Sequence, residues 1–122
     1  MQKIIVLDDN DDILEAVSLV LKRKFTDDVV SLNEPTLLEK SIPANQPALL
    51  LMDIFIGRYD GRKICRMLKD NPLFDQLAII LFSAQSYTAE SVTESGADAV
   101  LDKPFSINSL TGVIEKVFSN QH

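Results

Sequence analysis

The sequence predicts an α/β domain: a five-stranded parallel sheet with helices on both faces. Three observations carry that expectation. Short apolar, strand-like runs alternate five times with helix-length segments. The longest runs are apolar throughout, as in strands covered on both faces. The length, 122 residues, suits one compact domain with one core. Parallel crossovers are right-handed, so the connecting helices cover both sides of the sheet.

Taken in order, "KIIVL" (3–7) is the first strand. A helix over 11–24 follows. Glu15, Ser18 and Lys22 form a narrow polar stripe on it, leaving Ile13, Ala16, Val17 and Val20 to face the sheet, with Leu14 and Leu19 on the flanks. "VVSL" (29–32) is the second strand, and 34–41 the second helix. "ALLLM" (48–52) is the third strand, followed by a helix over 61–70 that stops before Pro72. "LAIILF" (77–82) is the fourth strand, and the helix over 87–95 ends at Gly96. "DAVLD" (98–102) is the fifth strand, and Ser106 is placed to cap the last helix, 107–119. No repeat, low-complexity segment or linker interrupts this series.

Composition narrows the function. A hydrophobic content of 46% is that of an ordinary globular protein, and no apolar run is long enough to span a bilayer. The start, "MQKIIVLDDN", lacks a secretory leader pattern. A single cysteine rules out an internal disulfide framework and fits a reducing cytoplasm. Cys65 lies in an apolar helix pattern and reads as a small buried hydrophobe. A net charge of −6 argues against nucleic-acid binding. Arg58, Arg62, Lys63, Arg66 and Lys69 supply five of the twelve basic residues and read as a solvated helix face. His122 reads as a frayed terminus rather than a phosphohistidine.

The chemistry gathers at the strand ends. In such sheets, ligands bind beyond the carboxyl ends of the strands. Asp8 and Asp9 follow the first strand, Asp53 the third, Ser83 the fourth and Lys103 the fifth. One edge thus receives three carboxylates, a hydroxyl and an ammonium. Clustered carboxylates raise one another's proton affinity, and a hard divalent cation resolves the conflict. Mg²⁺ takes oxygen ligands and is commonly held by one or two carboxylates together with phosphate. Lys103 and Ser83 suit the remaining oxygens of a phosphoryl group. The pattern describes a phosphoryl-transfer site that works by positioning and electrostatics.

Over nearly its whole length the chain resembles the receiver domain of two-component response regulators, within the chemotaxis-regulator-like superfamily. The resemblance rests on "VLDDN", "LLMDI", "DG" at Asp60–Gly61, "FSA" and "DKPF", in that order and spacing. It implies a flavodoxin-like doubly wound fold with strand order 2-1-3-4-5. It implies that Asp53 takes a phosphoryl group from a phosphohistidine of a histidine kinase or histidine phosphotransfer protein. Asp9, Asp53 and the backbone carbonyl of Phe55 would ligate Mg²⁺, with Asp8 acting mainly through water. Ser83 and Lys103 would bind phosphoryl oxygens, and Lys103–Pro104 would be cis. The domain would be a signalling phosphoacceptor rather than a turnover enzyme, with a phosphorylation-dependent homodimer among its partners. The wide apolar arc of the first helix reads first as partial burial against neighbours, and the resemblance offers the sharper reading of a docking surface for phosphodonors. The chain ends where the fifth helix should end, so residues 1–122 are expected to be a single receiver domain with no effector domain.

The sequence departs from the family pattern at several positions. Val100 stands three before Lys103, where the family often carries an aromatic that swings on phosphorylation. Tyr87, four after Ser83, is the candidate substitute, against the plainer reading that it caps the edge of a helix. Gly57 replaces a frequent proline, which should loosen the loop after Asp53. Phe55 and Gln85 occupy the variable positions that tune phosphoryl lifetime in the family. A calcium loop in "DDNDD" fails because Ile13 replaces the required glycine and Leu19 the bidentate glutamate. A nucleotide or flavin domain would carry a phosphate cradle after the first strand, not an acidic loop. A haloacid-dehalogenase-type phosphatase would place its nucleophile after the first strand of a larger chain. The remaining alternative is a receiver-like interaction domain that is not phosphorylated.

Overall fold

The computed structural model describes residues 2–120; His122 lies outside them. Five parallel strands form one sheet: β1 (Ile4–Leu7), β2 (Val29–Leu32), β3 (Leu49–Asp53), β4 (Ala78–Ser83) and β5 (Ala99–Asp102), in spatial order 2-1-3-4-5. The helices are α1 (Asp11–Lys24), α2 (Leu38–Asn45), α3 (Gly61–Lys69), α4 (Ala89–Ser95) and α5 (Ile107–Ser119). The expected α/β architecture and strand order are both present.

Strand alternation divides the core into two layers. Ile5, Leu7, Leu50, Met52, Ile79 and Leu81 face Leu38 and Ile42 of α2, Cys65 of α3 and Val92 of α4. Ile4, Val6, Leu49, Leu51, Ile80 and Phe82 face Leu14, Val17 and Leu21 of α1 and Leu110, Ile114 and Val117 of α5. All of β1, β3 and β4 is buried, which is why those runs read as continuously apolar. Cys65 is a core residue, as its setting foretold.

Several boundaries differ from expectation. On α1, Leu14 is buried rather than flanking and Ala16 is exposed, so the buried stripe is Leu14, Val17 and Leu21. A 3₁₀ turn, Pro35–Leu37, precedes α2, and the helix runs through Pro43 to Asn45. Burial of Leu38 and Ile42, one turn apart, outweighs the single hydrogen bond that Pro43 removes. α4 begins at Ala89 because Thr88, not Tyr87, caps it by accepting from the Ser91 amide at 3.1 Å. The segment after Asp53 is more than a plain loop. It is a short hairpin, Phe55–Ile56 paired antiparallel with Tyr59–Asp60, with Gly57 at φ +57° in its turn.

The basic residues form a solvated face only in part: Arg58, Lys63 and Arg66 are exposed, while Arg62 and Lys69 are half-buried. Arg62 Nη1 donates to Ser91 Oγ (3.0 Å), Arg66 Nη1 to the Glu94 carbonyl (3.1 Å), and Lys69 Nζ to Asp98 Oδ2 (2.8 Å) and the Leu77 carbonyl (2.9 Å). These three make a polar seam between α3, α4 and the residue before β5, with Arg66 exposed at its rim.

Candidate functional site

The strand ends deliver their polar residues to one edge, as the sequence foretold, and backbone packing fixes the arrangement. β3 pairs with both β1 and β4, which sets Asp53 in the middle of the edge. α3 starts very close to it: a Cβ on Gly61 would lie 2.3 Å from the Asp53 carbonyl oxygen, so only glycine fits there. Asp60 caps α3 by accepting from the Arg62 amide at 2.9 Å, and its carboxylate also binds the Arg62 guanidinium. That guanidinium lies over the Phe55 ring, 5.3 Å from its centroid.

Lys103 joins the ends of three strands. Its Nζ lies 2.6 Å from Asp8 Oδ2 and 2.8 Å from Asp53 Oδ2. Asp8 is fully buried and Asp53 nearly so. Burial pushes the Asp8 carboxyl above its ordinary 3.8, against the pull of Lys103 and of the Asn10 amide. Burial draws the Lys103 ammonium down, but its hydrogen bonds to Asp53 and Asp8 outweigh this and hold it above its ordinary 10.5. The lysine is therefore a fixed positive charge at neutral pH.

Asp9 is exposed and completes the cluster: Asp8, Asp9 and Asp53 each offer an oxygen within 4.8 Å of the others. Three hard carboxylate oxygens at that spacing, with no nitrogen or sulfur donor among them, match the chemistry of Mg²⁺. Asp8 Oδ1 accepts from the Asn10 amide (2.9 Å), Asp53 Oδ1 from the Phe55 amide (3.2 Å) and Asp9 Oδ2 from the Gly57 amide (3.0 Å). Asn10 also caps α1 through the Asp12 and Ile13 amides. An asparagine directly ahead of an amphipathic run is a readable cap signal, but the sequence reading passed over it.

Ser83 sits at the same edge, yet its hydroxyl is tied to its own loop. Oγ accepts from the Gln85 amide (3.0 Å) and donates to the Gln85 carbonyl (3.1 Å). Lys103 is anchored beside it through its backbone, whose amide donates to the Ser83 carbonyl at 2.8 Å. The Lys103–Pro104 bond is cis, as the resemblance implied. Tyr87 and Val100 are partly buried against the same core layer, and the Tyr87 hydroxyl donates to the Asp102 carboxylate. No feature of the sequence marked Asp102 as the partner of Tyr87.

Comparison with known proteins places this arrangement. A family model for the response regulator receiver domain matches residues 4–115. Protein PilG of Pseudomonas aeruginosa is 29% identical over 115 residues, covering 93% of this chain and 84% of PilG. The response regulator ArlR of Staphylococcus saprophyticus is 28% identical over 123 residues, covering 99% of this chain and 54% of ArlR. This chain therefore spans about half the length of that relative. The beryllofluoride-activated NtrC4 receiver domain dimer, solved in solution, has the same fold, with a TM-score of 0.89, 21% identity and 100% of both chains covered. With its flavodoxin-like sheet in the same order and a family match over nearly its whole length, the chain belongs to the response regulator receiver domain family of two-component systems.

Proposed function

We propose that this domain accepts a phosphoryl group on Asp53 in a reaction that requires Mg²⁺. The observation that carries the reading is the convergence of Asp8, Asp9 and Asp53 within 4.8 Å, with Lys103 bridging two of them. An Asp53 carboxylate oxygen attacks phosphorus. An O–P bond forms as the N–P bond of a phosphohistidine breaks, and the leaving imidazole nitrogen takes the bonding pair. Lys103 already touches Asp53 and supplies positive charge to the oxygens that gain charge in transfer. Ser83 reaches the transferred group by releasing Gln85 and donating its hydroxyl. Asp9, Asp53 and the Phe55 carbonyl would hold the metal, with Asp8 acting through water; the chemistry it would supply there is neutralisation of the carboxylates and of charge on the phosphoryl oxygens.

The domain acts in signalling and not as a turnover enzyme. Its phosphodonor is a histidine kinase or a histidine phosphotransfer protein. α1 and the start of α5 offer a shallow apolar groove for docking, lined by Ala16, Val20, Phe105 and Ile107, with Ile107 56% exposed. A homodimer that forms on phosphorylation belongs to the same reading; the activated NtrC4 receiver is a dimer. Intact-mass analysis tests the phosphorylation. Phosphoramidate or acetyl phosphate with Mg²⁺ should add one phosphoryl group to the wild type and none to Asp53→Asn. Unchanged mass of the folded wild type, or equal labelling of the variant, would leave the domain as a non-phosphorylated interaction module.

A further inference from the structure

We infer that the backbone amide of Gly57 is a positioning group for the metal site, and that it aims Asp9 at the cation. The inference rests on the Mg²⁺ reading above. Asp9 is exposed, and an exposed carboxylate on a loop has no packing to fix its rotamer. Here it is fixed by one contact that reaches across 48 residues of sequence: the Gly57 N–H donates to Asp9 Oδ2 at 3.0 Å. The carboxylate held this way contributes its oxygen to the cluster with Asp8 and Asp53. Partners of this kind, which orient a ligating side chain without touching the metal, raise metal affinity by ordering the ligand beforehand.

The local backbone explains why glycine stands here. The turn joining Phe55–Ile56 to Tyr59–Asp60 brings residue 57 into the left-handed region, at φ +57°. Glycine reaches that region without strain, and asparagine tolerates it. Proline cannot, because its ring fixes φ near −65° and it has no N–H to donate. A Cβ at this position meets nothing within 4 Å, so the site admits a side chain. In this chain the position supplies an N–H and a left-handed conformation that the proline frequent at this place in the family does not.

Two variants test the role of the position, and the Gly57 amide resonance separates the contact with Asp9 from mere tolerance of the turn. Gly57→Asn keeps both the N–H and the left-handed conformation; Gly57→Pro loses both. Titration with Mg²⁺, followed by amide chemical shifts in the phosphate-free domain, should give Gly57→Asn an affinity within about twofold of wild type. Gly57→Pro should be weaker by about tenfold, the lower end of the loss seen when such orienting partners are removed. In metal-free wild type, the Gly57 amide proton should resonate downfield and move upfield in Asp9→Ala. If Gly57→Pro binds Mg²⁺ as tightly as Gly57→Asn, or the Gly57 resonance ignores Asp9→Ala, the assignment is overturned while the metal site stands. A wild type that binds no Mg²⁺ overturns both.

Discussion

The three carboxylates of the site have unequal freedom to coordinate. Asp8 is engaged at both oxygens, by Lys103 and by the Asn10 amide, and it is buried. Asp53 is likewise engaged at both, by Lys103 and by the Phe55 amide. Asp9 is held at Oδ2 alone, and among the described residues its Oδ1 has no protein partner. In the proposed metal site, recruitment of the cation should therefore depend most on Asp9. Mg²⁺ should raise the melting temperature of the wild type, because a ligand that binds only the folded state stabilises it by mass action. Asp9→Asn should lose most of that rise and Asp8→Asn less. Thermal melts with and without Mg²⁺ decide this, and the reverse ranking would contradict the proposed division of roles.

Among the elements, α3 links the site to the rest of the fold. Its N-terminus is held by Asp60, which caps the helix and pairs with Arg62 at 2.9 Å. Arg62 in turn reaches Ser91 on α4 and lies over Phe55, two residues after Asp53. Losing the cap and leaving Arg62 without its partner should make Asp60→Ala less stable by about 1–2 kcal/mol at neutral pH. The Arg62 hydrogen bond holds the Asp60 carboxyl below its ordinary 3.8. A lowered value in the folded state gives stability that is complete above 3.8 and is lost as pH falls through the folded value. Denaturant titrations across pH should show the gap between wild type and variant constant above about pH 5, narrowing below 3.8. A gap that stays constant throughout would mean that the ion pair contributes nothing and the packing of α3 everything.

At the scale of the whole molecule, the phosphoryl group proposed for Asp53 would have to be reported at a surface, and Val100 cannot swing as an aromatic would. The structure offers another connection. Ser83 ends β4, Tyr87 follows it in the loop, and Tyr87 donates to Asp102, the last residue of β5 and the neighbour of Lys103. That hydrogen bond, with some help from burial, holds the Tyr87 phenol above its ordinary 10. In the proposed reaction, Ser83 drawn toward the phosphoryl group would pull on the segment that carries Tyr87, and Lys103 would respond beside the other end of the same bond. Beryllofluoride with Mg²⁺ should shift amide resonances over 83–90 and 102–107. Tyr87→Phe keeps the ring and loses the hydroxyl, so it should keep the shifts near Asp53 and weaken those at 102–107. Wild-type shifts confined to the residues that touch the phosphoryl mimic would mean a carrier without conformational output.

The strands, the parallel sheet and the acidic, hydroxyl and lysine positions at its edge were legible from residue order alone. Burial on both faces makes strands continuously apolar, and a strand that stops at a carboxylate places it at the sheet edge whatever the loops do. The contacts that make those positions a site were not legible. Lys103 meets Asp8 across 95 residues and Asp53 across 50, and Gly57 meets Asp9 across 48. Chain periodicity does not extend over such separations; the packing of β1, β3 and β5 creates them. The same holds for Arg62 and Lys69 of α3, which read as part of a solvated face until their partners are laid beside them. Gly57 reads as a point of looseness until the hairpin turn sets its φ and aims its N–H at Asp9. Local patterns decide where the elements form, because burial and capping act on neighbours in sequence. Tertiary structure decides which polar groups are engaged, because each hydrogen bond needs a partner that only the folded chain brings within reach.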